Sequence, residues 1–235
     1  MAAVETARGR ALRMPLIAIE ACPQPPVLKQ LSRFDWLIFV SANAVTHSLD
    51  RHPKPVQLAP GTRVAAIGAA TARALEQRGI KVSLQPQASA NSEALLACAP
   101  LQRVEGENIL ILRGAGGREL LRQELEQRGA QVSYAECYRR VRPDADTKPL
   151  YHAWAAGKIV VISVTSVESL RNLVQIVEHD RRRDLLDAPL LVVGERQRHA
   201  ALEMGWKGTI IVADDADPDA MVNALSAAMP GIQSG

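Results

Sequence analysis

Aromatic side chains make up only 3% of this 235-residue chain, so its core has to be built from Leu, Ile, Val and Ala. Long apolar runs are lacking too. None could span a bilayer, and residues 1–10 carry no apolar stretch of the kind a secretory signal needs. The expectation is a cytoplasmic protein without membrane association. Cysteine is sparse: Cys22, Cys98 and Cys137 are an odd number with no CxxC spacing. That argues against a disulfide framework or a zinc knuckle and for idle thiols in a reducing compartment. The five histidines form no HExxH or other tight pattern, so no metal site is expected. Charge of one sign is not in great excess, with 28 Lys+Arg against 25 Asp+Glu. A net charge of +3 permits an anionic ligand without demanding one. The one basic run, Arg181-Arg182-Arg183, is bracketed by Asp180 and Asp184 and reads as solvated surface, so no nucleic-acid partner is expected.

What is present is 47% hydrophobic, enough for one large domain or two small ones. The apolar residues gather into short β-branched runs at 37–40, 64–67, 109–112, 159–162 and 190–193. Polar residues interrupt none of them, as expected of parallel strands covered on both faces. Each run is followed by a small or hydroxyl residue and then a helical pattern. That is an α/β layout.

The chain also repeats itself. LIFVSANAV at 37–45 parallels IVVISVTSV at 159–167, which aligns Ser41 with Ser163 and Asn43 with Thr165 at an offset of 122. VAAIG ending at Gly68 parallels LLVVG ending at Gly194, each followed by a second glycine, Gly79 or Gly205, eleven residues later. Fourteen residues beyond, Glu93 and Asp219 each open a final helical pattern. A third pair is displaced: Arg128-Gly129 and the run 132–138 match Arg8-Gly9 and the run 12–18. A period this long is a duplicated domain and not a solenoid.

Short parallel strands with right-handed crossovers imply two doubly wound, flavodoxin-like domains. The order of the repeats implies interleaving: residues 1–22 and 142–235 form domain 1, and 23–141 form domain 2. Domain 1 would open on a strand near 15–21 and resume at 159. Proline at 22–26 and 142–149 favours two extended linkers. The equivalent of 109–117 would fall before residue 1, so domain 1 is expected to lack its N-terminal strand, with 1–8 as the tail of a helix.

WLIFVSANAV, VAAIGAATARALEQRG, ILILRGAGGRELLRQELEQRGAQVSYAECYRRVRP and LLVVGERQRHAALEMGW, in this order, resemble successive blocks of the uroporphyrinogen-III synthase family over about residues 8–226. The resemblance implies a monomeric lyase of haem biosynthesis, with no metal and no bound cofactor. Its substrate would be an anionic linear tetrapyrrole, hydroxymethylbilane, held in a cleft between two lobes. The bilane loses its hydroxyl with push from a pyrrole nitrogen, and the resulting azafulvene closes through a spiro intermediate that inverts ring D. Uncatalysed closure gives the uninverted isomer, so the protein selects a conformation more than it supplies strong acid or base. A non-catalytic bilobal binding or regulatory protein that kept the fold is the alternative.

Candidate residues lie where open α/β sheets bind ligands, at the carboxyl ends of strands and the adjoining helix N-termini. Ser41, Asn43, Ser163 and Thr165 sit there, and helix capping explains them as well as ligand binding does. Gly68 and Thr71 resemble the family's Gly-x-x-Thr block, with the threonine aimed at a carboxylate. Their counterparts Gly194 and Gln197 depart from it, because Gln stands where Thr is usual. Arg113 through Arg118 is not a Walker loop, since no Lys-Ser/Thr follows. Gly114 between Arg113 and Arg118 still suits carboxylates, which arginine can engage bidentately. The resemblance places the family's cleft tyrosine, proposed to assist departure of the hydroxyl, at Tyr138; packing with a solvated hydroxyl is the competing reading. Strand alternation points Cys137 to the opposite face, into core.

Overall fold

The apolar runs do become short parallel strands, and helices cover both of their faces. The computed structural model describes residues 10–50, 58–87, 89–158 and 161–232. Contacts divide the chain into a continuous unit, Ile19–Val141, and a split unit, Met1–Ala18 with Arg142–Gly235.

Five strands form one sheet: β1 (Ala18–Ala21), β2 (Trp36–Phe39), β3 (Arg63–Ala66), β4 (Asn108–Gly114) and β5 (Gln131–Val141), in the order β1-β5-β4-β2-β3. The pairs β2–β3, β2–β4 and β4–β5 are parallel. All four residues of β2 are buried, because alternate side chains feed two different cores. Leu37 and Phe39 pack with α1 (Ala42–Leu49) and α2 (Ala69–Glu76), whereas Trp36 and Ile38 pack with α3 (Ser92–Leu96) and α4 (Leu120–Gln127). At about 1.5–3 kcal/mol for each large side chain fully buried, the central strands dominate the stability of this unit.

The split unit repeats the plan with β6 (Ile162–Ser163), β7 (Leu190–Val193) and β8 (Ile210–Ala213), a parallel sheet in the order β6-β7-β8. One face packs with α5 (Lys148–Ala155), α6 (Val167–Ile176), α7 (Arg182–Asp187) and α8 (Glu195–Glu203). The other packs with α9 (Pro218–Ile232). Among the described residues no helix is long and apolar enough to cross a membrane.

Three expectations change. The strand expected to open domain 1 is β1, and it joins the sheet of the continuous unit instead, at the outer edge of β5. The Cys22 N–H donates to the Cys137 carbonyl and Arg139 pairs with Glu20, so residues rising in β1 meet residues falling in β5. The second proline-bearing linker is shorter than expected, since Lys148 already opens α5. The third change is the register of the repeat. Ser41 caps α1 by accepting from Ala44 N, but the matching cap of α6 is Ser166, accepting from Ser169 N, and not Ser163 or Thr165. Serine caps and glycine caps then keep nearly one spacing, Ser41 to Ser166 and Gly68 to Gly194. The helix ends agree with it: Ile80 N bonds Leu75 O after Gly79, and Trp206 N bonds Ala201 O after Gly205. The helix tail expected at residues 1–8, the Arg8-Gly9 match and residues 159–160 lie outside the described residues.

Candidate functional site

In the continuous unit β2 and β4 are neighbours, yet β2 leads into α1 on one face and β4 into α4 on the other. The chain therefore leaves a crevice at the carboxyl ends of these two strands, the usual ligand position in open α/β sheets. A concavity of about 350 Å³ lies there, lined among others by Ser41, Asn91, Ser92, Tyr134, Tyr138 and the loop from Arg113 to Arg118.

Tyr138 reaches this place through an irregularity in β5. Ile109 pairs with Val132 and Ile111 with Tyr134, but after Arg113–Glu136 the next pair is Gly114–Tyr138. Cys137 is the extra residue of a β-bulge, and a bulge re-aims the side chains beyond it. Regular alternation would have placed Tyr138 on the face of Val132 and Tyr134. Instead Tyr138 joins the core of Ala135 and Cys137 on the other face. The two neighbours thus share a face, contrary to the alternation expected from sequence. The Tyr138 ring is 5% exposed, and its hydroxyl is 3.0 Å from Ser41 Oγ rather than free in solvent. Gly114 is glycine because the ring takes its side-chain space: a Cβ there would lie 2.7 Å from Tyr138 Cε2 and Cζ. Burial, with the Cys22 thiol as the next contributor, pushes the Cys137 thiol up to about 12, which makes it a poor nucleophile.

Arg113 shapes the loop from within. It is 3% exposed, pairs with Glu119 at 2.9 Å, donates to the Gly114 and Arg118 carbonyls, and stacks 4.4 Å over the Tyr134 ring. Its guanidinium also fills the space a side chain at Gly117 would need. Glu119 accepts from the Tyr134 hydroxyl as well, at 2.9 Å. The Tyr134 bond first, and the Arg113 bond second, hold the Glu119 carboxyl below its usual range. Burial and that same bond raise Tyr134 to about 12. A cation so engaged holds the loop in shape more than it offers itself to a ligand. Arg118 is different: it is 64% exposed at its side chain and, among the described residues, its ion pair is with the exposed Glu93, a pair of the kind worth little in water. A ligand carboxylate can replace Glu93 there at small cost.

The remaining candidates are spread more widely. Asn43 is exposed in the first turn of α1, outside the lining of the concavity. Thr71 is in the first turn of α2 but only 3% exposed. Gly68 packs against Ala90, where a Cβ would stand 2.4 Å from the Ala90 Cβ. In the split unit Gln197 bridges two strand ends, accepting from Val193 N and donating to Thr165 O. The glutamine thus joins the ends of β7 and the β6 loop, beside the positive-φ Gly194. Ser163 is exposed in β6. Sequence reasoning passed over Asn91, Ser92, Glu119, Tyr134 and Ser166. Asn91 was findable: it caps α3 by accepting from Ala94 N, ahead of Glu93 and the apolar Leu95 and Leu96. Among the described residues no group of three or more His, Cys, Asp or Glu side chains is placed to hold a metal ion.

A family model described as Uroporphyrinogen-III synthase HemD matches residues 1–223. The uroporphyrinogen-III synthase of Salmonella typhimurium is 39% identical over 219 residues, covering 90% of this chain and 88% of that protein. That of Escherichia coli K12 is 42% identical over 161 residues, covering 68% of this chain and 65% of the E. coli protein, just under two thirds of its length. The crystal structure of uroporphyrinogen-III synthetase from Helicobacter pylori 26695 covers 90% of this chain, and the chain covers 91% of it, with a TM-score of 0.60 and 19% identity. That likeness is one of fold.

Proposed function

The chain belongs to the uroporphyrinogen-III synthase family, and from that membership we propose that it closes hydroxymethylbilane to uroporphyrinogen III with loss of water and inversion of ring D. The observation that carries the reading is one concavity holding the Tyr138 and Ser41 hydroxyls beside a glycine loop with an available guanidinium, Arg118. Departure of the bilane hydroxyl needs a proton, and Tyr138 supplies it as the pyrrole nitrogen pushes. Ring carboxylates are held by Arg118 and by backbone N–H groups of residues 116–118. Arg113 acts by keeping that loop in shape.

The volume sets a limit on what this place can hold. Sites that bury a drug-sized ligand run from roughly 300 to 1,000 Å³, so a concavity of about 350 Å³ takes one end of a tetrapyrrole and not all of it. We assign it the reacting end. A further carboxylate falls to Asn43, exposed in the first turn of α1, whereas Thr71 at 3% exposure is too buried to take one. Many carboxylates held by dipoles and guanidinium make binding weaken as salt rises. The two units are the copies of an interleaved duplication, each doubly wound, with 142–147 as an extended connection. Because β1 belongs to the continuous unit, the other crossing falls before Ile19 and not at 22–25.

The test is to supply freshly generated bilane and separate the product isomers. The wild-type chain should give the inverted isomer. Tyr138→Phe should slow its formation by about 1–3 kcal/mol of barrier, with stability lowered by no more than about 1 kcal/mol, the worth of its one lost hydrogen bond to Ser41. A wild-type chain that yields only the spontaneous, uninverted isomer would sink the assignment.

A further inference from the structure

Ser41 Oγ accepts the Ala44 N–H at 3.0 Å and also stands 3.0 Å from the Tyr138 hydroxyl oxygen. One atom thus serves both a helix end and the tyrosine at the concavity. Each hydroxyl has a single proton, so the bond between them can run in two directions. If Tyr138 donates to Ser41, its proton is spent inside the protein and its oxygen can only accept from the concavity. If Ser41 donates, the tyrosine proton is released toward the ligand. The Ala44 N–H already occupies one lone pair of Ser41, and hydrogen bonds aligned in a chain polarise one another. That favours the second direction.

We propose that Ser41 is a positioning residue that turns the Tyr138 proton outward, through a chain running from Ala44 N–H to Ser41, to Tyr138 and to the departing hydroxyl of the substrate. The proposal rests on the reading of Tyr138 as proton donor. The pyrrole nitrogen pair breaks the C–O bond, Tyr138 gives its proton to the leaving hydroxide, and water departs. The tyrosinate oxygen is held by the Ser41 O–H and regains a proton when the azafulvenium N–H loses its own. No other reactant is needed.

Capping and proton direction separate by mutation. Ser41→Ala, Ser41→Asp and Ser41→Thr are each made alone and with Tyr138→Phe, and single-turnover rates of inverted-isomer formation are measured beside melting temperatures. Ser41→Ala should slow the reaction roughly tenfold, as loss of one hydrogen bond does. Asp caps as well as Ser, but its carboxylate only accepts and takes the tyrosine proton. Ser41→Asp should therefore melt like the wild type and still be slow, whereas Ser41→Thr recovers most of the rate. In the Tyr138→Phe background Ser41→Ala should cost nothing further. The chain has three tyrosines, so the ¹³C resonance of the Tyr138 Cζ can be assigned by its loss in Tyr138→Phe. It should shift in Ser41→Ala and Ser41→Asp but not in Ser41→Thr. An undiminished Ser41→Ala effect without the tyrosine hydroxyl, a Ser41→Asp enzyme as fast as wild type, or an unmoved resonance would overturn the proposal. A wild-type chain making only the uninverted isomer would overturn the functional reading itself, while the resonances still report whether Ser41 orients Tyr138.

Discussion

Gly114→Ala is the sharpest single probe of the site. The new Cβ would stand 2.7 Å from Tyr138 Cε2 and Cζ and 3.1 Å from its hydroxyl oxygen. Carbon atoms rest at roughly 3.5–4.0 Å, so ring or backbone must give by about 1 Å. The Ser41–Tyr138 bond is 3.0 Å long, and a shift of that size carries it beyond hydrogen-bond range. Overpacking of this kind costs about 1–3 kcal/mol, and the lost bond adds about 1 kcal/mol. The melting temperature should fall by several degrees. A misplacement of about 1 Å at a reacting group can cost ~100-fold in rate. The assay is single-turnover formation of the inverted isomer, with calorimetry on the same samples. Tyr138→Phe is the reference, because it removes the hydroxyl and leaves the ring in place. The Gly114→Ala, Tyr138→Phe double variant should be no slower than Tyr138→Phe alone. A double variant much slower than either single would mean that Gly114 faces substrate directly, and the ring-clash reasoning would be wrong. So would a Gly114→Ala protein of wild-type rate.

Arg113→Ala should lower stability to urea by about 2–3 kcal/mol, below the 3–5 typical of a broken buried pair because Glu119 is half-exposed; Arg113→Lys should not restore turnover, since the fork and the stack on Tyr134 are lost. The folded state keeps the Tyr134 proton up to about 12 against an ordinary 10, so its contribution is intact below pH 10 and lost as pH rises toward 12. Tyr134→Phe should remove that part of the alkaline unfolding limb. Glu119 is held low, so its contribution is present above the usual carboxylate range and lost on acidification; Glu119→Gln should flatten the acid limb. Ser166→Ala should cost about 0.5–2 kcal/mol in denaturant melts as a lost cap, while Ser163→Ala and Thr165→Ala stay within about 0.5 kcal/mol; the reverse ranking would restore the sequence alignment of the two repeats.

Strands buried on both faces were legible because nothing polar interrupts them. The run at 190–193 coincides with β7, and those at 37–40 and 64–67 sit one residue beyond β2 and β3. β8 was passed over although Ile210–Ala213 is just as apolar. Its equivalent in the continuous unit is a single bridge, Leu84 to Ala65, so the repeat offered no strand there to copy. β1 shows a different limit. Apolar pattern tells that a segment is extended but not which sheet edge it will join. The choice is made by the far half of β5, whose backbone pairs with β1 and whose Arg139 meets Glu20.

The candidate site was half legible for a related reason. Ser41, Gly114 and Tyr138 were each identifiable from position, but the contacts that join them were not. Ser41 and Tyr138 are 97 residues apart, and they meet only because Cys137 is inserted as a bulge. Period-two reasoning assigns faces on the assumption of unbroken pairing, so it gives the wrong face wherever a bulge intervenes. The residue across from the bulge carried the one available signal. A glycine flanked by arginines has two physical readings, room for a ligand or room for a neighbouring side chain, and nothing in the sequence separates them. The structure separates them by distance: the Tyr138 ring fills the room at Gly114, and the Arg113 guanidinium fills it at Gly117. Of the loop's glycines, Gly116 alone keeps open space around its Cα, with φ at 71°. If backbone approach to a carboxylate occurs in this loop, it is centred on Gly116. Gly116→Ala should then weaken substrate binding, at a backbone-strain cost of about 1–2 kcal/mol, while leaving the Tyr138–Ser41 geometry and the isomer ratio of the bound fraction untouched. An altered isomer ratio in that variant would show that loop and tyrosine do not act separately.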